Sequence, residues 1–174
     1  MTERKSLHWK AFLLALGIST AVFLPFLLYN GGYFIFIGDF NAQQIPFYKL
    51  VHQAVREGNF GWSWTTDLGA NFIASYSFYN LTSPFFWLTI PFPNDWVPFL
   101  MAPLLILKNA CAALTSYFYL ARFVRRREFA VLGSLLYAFS GFMFYNTFFN
   151  HFHEVVVFFP LLLIGMEELV QNNR

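Results

Sequence analysis

The sequence predicts an all-α membrane protein, with about four transmembrane helices and a long extracytoplasmic segment that carries interfacial amphipathic helices. Three observations lead there. Apolar residues make up 57% of the 174-residue chain and charged residues only 11%, whereas an ordinary soluble domain carries about 25% charged residues. The apolar runs reach about 20 residues, which is bilayer length. The basic residues gather at the ends of those runs: Arg4, Lys5 and Lys10 before the first, and Arg122, Arg125, Arg126 and Arg127 after the second. Lys and Arg resist translocation, so both groups are predicted to be cytoplasmic.

The elements follow from that frame. A cytoplasmic tail over 1–10 precedes a first span over 11–29, in which Pro25 is tolerable because neighbouring helices can satisfy the carbonyl it frees. No small-x-small cleavage site follows this run, so an uncleaved anchor is expected. Residues 30–96 then lie outside, and a second span over 97–120 returns the chain to a cytoplasmic loop over 121–128. A third span over 129–149 contains Gly133, Ser134, Ser140 and Gly141, small residues that let another helix approach closely. A short outer loop over 150–154 leads to a fourth span over 155–170 and a cytoplasmic end over 171–174. The apolar core of that last span, "VVVFFPLLLIGM", is 12 residues long, too short for a hydrocarbon layer of about 30 Å. It is therefore expected to extend through "HFHE" and "EELV", which brings His151, His153 and Glu154 to the outer interface. The alternative is a re-entrant or interfacial helix.

Within the outer segment, Phe47, Leu50, Val51, Ala54 and Val55 follow helical spacing, with Lys49, His52, Gln53, Arg56 and Glu57 on the other face and Gly58 as a stop. Such a helix is expected to lie flat, with its apolar face in the headgroup boundary. Trp62, Trp64 and Trp87 suit the same depth, and "SPFFWLTIPF" reads as a second interfacial stretch. The net charge of +2 excludes little. Because the basic residues flank membrane runs, nothing points to nucleic acid. Cys111 is alone, so no intrachain disulfide forms. There is no phosphate-cradling glycine loop, CxxC or serine nucleophile motif. The "NLT" at Asn80 matches a glycosylation acceptor, a triplet common by chance.

Three polar features remain. Asp39, in "GDFNAQQIPF" just beyond the first span, is placed either to accept a proton from a substrate hydroxyl or help hold a metal ion, or to cap the flat helix, a task Asn41 can equally perform. "NHFHE" offers His151, His153 and Glu154 as metal ligands, with alternate spacing on an extended turn pointing both imidazoles the same way. Its other reading is a polar marker of the membrane boundary. Lys108, near the middle of the second span, costs at least about 2.5 kcal/mol on insertion scales. It is expected to face a phosphate, pair with a carboxylate, or lie neutral beside Asn109.

"GDFNAQQIPF", "GANFIASYSFYNLTSPFFWL", "LKNACAALTSYFYL", "LYAFSGFMFYNTFFNHF" and "FPLLL" stand in an order that resembles the N-terminal part of the YfhO family of bacterial membrane proteins. That family is much longer, so the chain reads as a truncated or short-form member, or as an excerpt. Its members resemble GT-C glycosyltransferases, which take a sugar from a polyprenyl-phosphate carrier on the outer face of the membrane. The resemblance implies a GT-C-like N-terminal module and a cell-surface polymer such as teichoic acid as acceptor. It also implies a catalytic Asp39, in the place of the acidic residue those enzymes carry after their first span. Gln43, Gln44, Asn71 and Lys108 would bind substrate, Lys108 meeting the lipid phosphate, and His151, His153 and Glu154 would orient the acceptor or hold a metal. A divalent metal ion is the one cofactor this admits; the bilayer, the lipid-linked sugar and the polymer are the partners. The alternatives are a non-catalytic integral membrane subunit and a lipid or solute transporter component.

Overall fold

A computed structural model describes residues 7–172; the charges at Arg4 and Lys5 lie outside the described residues. Three of its helical stretches are long and apolar enough to cross a membrane: Leu7–Tyr29, Asn94–Leu120 and Arg127–Phe149. The element order is α1 (Leu7–Tyr29), α2 (Ile45–Glu57), β1 (Trp62–Ser63), β2 (Ala70–Asn71), α3 (Phe72–Tyr76), α4 (Pro84–Trp87), α5 (Val97–Leu120), α6 (Arg127–Ala138), α7 (Gly141–Tyr145) and α8 (Phe152–Asn172).

Helix α5 is the axis of the molecule, with α1, α6 and α8 packed along it and α2 also in contact with it. Small side chains make this close packing possible. Ala11, Ala15 and Ser19 form the buried stripe of α1, and Ala110, Ala112 and Ala113 of α5 are fully buried. Within lipid there is little hydrophobic drive between helices, so such stripes associate through backbone proximity and hydrogen bonds. Asn109 Nδ2 supplies one, donating to Ser19 Oγ at 3.0 Å. Gly133 of α6 serves the same end, because a Cβ there would come within 3.0 Å of Leu120.

Three ion pairs at two points align α8 with α5. Lys108 Nζ meets Glu154 Oε1 at 3.0 Å, and Arg122 Nη2 meets Glu168 Oε1 at 2.7 Å, with Arg122 Nε reaching Glu167 at 2.9 Å. The partners are fourteen residues apart on each chain segment, so the two run parallel over about 21 Å. Arg122, which reads in the sequence as a topology signal, thus also fastens the last turns of α8. Pro160 interrupts α8 by removing the N–H that would bond Val156 O. The Tyr137 hydroxyl of α6 replaces it, donating to that carbonyl at 2.9 Å.

Several expectations need correction. The third apolar run is not one helix over 129–149: Ser140 takes an extended conformation (ψ 159°) between α6 and α7, and a 3-10 turn, Asn146–Phe149, follows. Ser140 and Gly141 supply low helix propensity at the bend, and Gly141 has open space around it rather than a neighbouring helix. Helix α2 forms, with Gly58 in the left-handed conformation as its stop, but its apolar face is not free for headgroups. Tyr48, Val51 and Ala54 are buried by the chain itself, Tyr48 against Phe86. His52, on the face expected to be polar, is buried and bonded to Thr89 O at 3.1 Å. Phe85 and Phe86 of α4 are likewise buried. The segment between the first two long helices is therefore a packed cap, with a small β1–β2 hairpin that the all-helical expectation lacked. Asn80 is buried within it, not displayed as a glycan acceptor.

Tyr137→Phe leaves Val156 O without a donor and is expected to cost about 1–3 kcal/mol. Thermal unfolding in lipid nanodiscs would show it, and Pro160→Ala in the same background should recover the loss by restoring the N–H.

Candidate functional site

The polar residues around the cap sort into a buried cluster, a buried imidazole pocket and a loop. The buried cluster centres on Lys108, which is 1% exposed. Its Nζ lies 3.0 Å from Glu154 Oε1 and donates to Asn150 O at 3.0 Å, while the Phe85 ring sits 5.5 Å away. Glu154 falls in the first turn of α8, where the helix dipole favours a carboxylate. Ser83 does two jobs in one turn. Its Oγ accepts from Phe86 N at 3.0 Å, capping α4, and its O–H donates to Glu154 Oε1 at 2.5 Å. The Tyr48 hydroxyl is buried beside Ser83 without a partner of hydrogen-bond geometry. Burial first, and the charge of Glu154 second, hold it well above the ordinary tyrosine range.

The imidazole pocket lies beside this cluster. A π-helical turn, Phe40–Gln44, precedes α2 and turns Gln44 inward to full burial; one-turn π segments recur at functional sites. His151 Nδ1 faces Gln44 Oε1 at 3.3 Å, and the Gln44 amide donates to Gln43 at 3.4 Å. An amide oxygen accepts, so Nδ1 carries the proton. The rings of Phe78, Tyr79 and Phe152 surround the imidazole at 4.5 to 5.0 Å. Burial, aided by the nearby Lys108 charge, lowers its pKa from 6.5 to about 4, so His151 is neutral at pH 7.

Asp39 is presented by a loop closed on itself. Asn41 does not cap a helix; its Nδ2 donates to Phe36 O, and its Oδ1 accepts from Phe36 N at 3.3 Å. This amide clamp, with Gly38 at φ +63°, holds a tight turn before Asp39. The Asp39 side chain caps nothing and joins no ion pair among the described residues. Behind the loop is a cavity of about 360 Å³ walled chiefly by Phe23, Phe26, Phe34, Phe139 and Phe144. The bend between α6 and α7 opens it. Asn109 and His153 are among its lining residues, and each has a buried acceptor, Asn109 Oδ1 and His153 Nδ1, without a partner. Ile35 and Phe36 line both this cavity and a shallow depression that reaches Gly38, next to Asp39.

The structure therefore joins Gln43, Gln44 and His151 in one place and Lys108 and Glu154 in another, close by. It leaves Asp39 apart from both, and places Asn71 at the start of α3, where its Oδ1 accepts from Ala74 N at 2.9 Å. His151 and His153 do not point the same way, because α8 begins between them: His153 Nε2 donates to Met143 O at 2.8 Å. With Glu154 committed to Lys108 and Ser83, these three do not fit a metal, and no group of three His, Cys, Asp or Glu among the described residues does. Sequence reasoning missed Ser83, Tyr48 and Asn150. Only Ser83 carried a local signal, as a hydroxyl residue before a proline at a helix start.

Compared with known protein families, residues 11–174 match the one described as Bacterial membrane protein YfhO. The chain belongs to that family. No curated protein and no solved structure matches it. Membership and three apolar helices make it a bacterial membrane protein, and the buried Lys108 cluster is how this YfhO chain ties its cap to its bundle.

Removing one member of a buried pair strands the other, at a cost of about 3–5 kcal/mol. Glu154→Met and Lys108→Met are each expected to destabilise by that order, and the double variant to recover most of it, read by thermal unfolding in nanodiscs. The His151 shift has a defined sign. Its folded pKa is depressed, so the unfolded chain binds the proton better, and stability present above about pH 6.5 is lost as pH falls toward 4. Tm should drop on acidification from pH 7 to 4.5 less steeply in His151→Gln than in the parent chain.

Proposed function

We propose that this chain is the N-terminal module of a membrane glycosyltransferase, which transfers a sugar from a polyprenyl-phosphate carrier to a cell-surface polymer such as teichoic acid on the outer face. The observation that carries the reading is Asp39: a carboxylate without a structural task, on a clamped loop that walls an aromatic cavity. A carboxylate retained at a membrane protein surface and bonded to nothing is available to accept a proton. In this reading the acceptor hydroxyl gives its proton to Asp39 as its oxygen bonds the anomeric carbon, and the bond to the carrier phosphate breaks. The aromatic cavity suits the apolar chain of the carrier, and its volume lies within the range of small-molecule sites.

The other residues take supporting parts. Gln43, within the π turn, orients substrate, and Gln44 fixes the tautomer of the neutral His151 beside it. Lys108 and Glu154 position the cap on the bundle; paired and enclosed, Lys108 acts through that contact rather than by meeting the lipid phosphate. The orientation follows from the basic residues: N-terminus and the 121–128 loop inside, residues 30–96 outside. The parallel alignment of α5 and α8 supports a fourth crossing, since α8 keeps beside α5 from Glu154 to Glu168.

Asp39→Asn should lower transfer at least about 100-fold, the usual minimum for loss of a general base, without changing membrane insertion. Transfer from a labelled polyprenyl-phosphate sugar to surface polymer would be followed in membranes of a host lacking the gene, with this chain and with a longer version if a downstream frame encodes one. Full activity in Asp39→Asn would remove the catalytic assignment and bring forward the non-catalytic subunit.

A further inference from the structure

A second concavity, of about 280 Å³, lies between α2 and the β1–β2 hairpin and shares no residue with the aromatic cavity. Leu50 and Phe72 form its floor, and the Trp62 indole stands in its lining. The ring is half exposed, yet its position is fixed from below. Gly69, at φ +107°, has no room for a side chain, because a Cβ there would meet Trp62 Nε1 at 2.8 Å. The indole therefore rests on bare backbone, with the Trp64 ring meeting it edge-on at 5.8 Å.

The rim is polar and ordered. Gln53 Nε2 donates to Glu57 Oε1 at 2.8 Å, holding that carboxylate on the α2 side. Opposite it, the Ser63 hydroxyl bonds Thr66 at 2.9 Å, which continues to the Tyr76 hydroxyl at 3.0 Å. Asn59 closes one end. An anchored aromatic face beside a carboxylate, amides and hydroxyls meets the two sides of a sugar ring at once. The C–H face of a pyranose is weakly positive and stacks on the negative face of an indole. Its hydroxyls donate to carboxylate and amide oxygens and accept from amide and hydroxyl hydrogens.

We propose that this concavity is a saccharide-binding subsite, with Trp62 as the stacking platform and Glu57 and Asn59 as the hydroxyl partners. The alternative for an exposed tryptophan, anchoring at lipid headgroups, describes its neighbours better. Trp64 and Leu68, the latter 98% exposed, project from the hairpin, whereas Trp62 turns toward the polar rim. The task of such a subsite, holding a sugar of the acceptor some distance from the transfer point, rests on the glycosyltransferase reading; binding itself does not. A glycolipid headgroup presents the same chemistry as a polymer sugar, and the experiment separates the two sources.

The protein would be placed in phosphatidylcholine nanodiscs, without glycosidic detergents, and titrated with methyl β-glucoside and methyl N-acetyl-β-glucosaminide by saturation-transfer NMR. At least one should bind in the millimolar range, and Trp62→Ala and Glu57→Gln should each weaken binding at least about tenfold. Leu68→Ala and Asp39→Asn should leave it unchanged. Saturable binding of a glycosyl-diacylglycerol in the disc that resists competition by the free glycosides would assign the lipid headgroup as source. No glycoside binding up to about 100 mM with no glycolipid binding, or equal binding by Trp62→Ala and Glu57→Gln, would overturn the subsite. A Trp62 fluorescence response to bilayer composition alone would make it a headgroup anchor. Intact binding together with full transfer by Asp39→Asn would discard the catalytic reading while the subsite stands.

Discussion

The half of this protein that carries the cap depends on one buried ion pair. Lys108 lies eleven residues into α5, about 16 Å along its axis, at a depth where a lone ammonium is costly. Its charge is met from two directions: by Glu154 at the start of α8 and by the Asn150 carbonyl before it. Glu154 in turn accepts from Ser83 of the cap. A core helix, a peripheral helix and the connecting segment are thus held by one charge. Buried pairs contribute little net stability against an apolar alternative, so what this pair supplies is placement.

That placement shapes the surfaces around it. With the start of α8 drawn against α5, the preceding turn carries His151 to Gln44, and a neutral imidazole fits where a charged one beside Lys108 would not. The cap, packed through Tyr48 and Phe86, holds α2 against α5. The Asp39 loop lies just before α2 in the chain and the Trp62 hairpin just after it. The bend at Ser140 completes the arrangement by opening the aromatic cavity behind the Asp39 loop.

The division of polar groups has a functional logic. Lys108, Glu154, Ser83 and His151 are enclosed and partnered, as structural polar groups must be. Asp39, Glu57 and Asn59 are reachable from outside. In the proposed reading, groups of the second kind are the ones a substrate would meet. The aromatic excess serves both regions, filling the cap core with edge-to-face rings and lining the cavity.

Composition and the length of the apolar runs determined that this is a membrane protein, because transfer of a helix to lipid depends on summed hydropathy and not on its neighbours. Local chemistry determined α2 and its Gly58 stop, and the ordered motifs determined the family. Periodicity alone could not say which medium covers the apolar face of α2, since headgroups and Phe86 satisfy the same pattern. Nor could it show that Asn41 clamps Phe36, that the third run bends at Ser140, or that Trp62 lies over Gly69. The partners of Lys108 were equally hidden: Glu154 and Ser83 are 46 and 25 residues away in the chain. Only the tertiary structure decided those pairings, because each rests on which side chains the packing of α5 brings within hydrogen-bond reach.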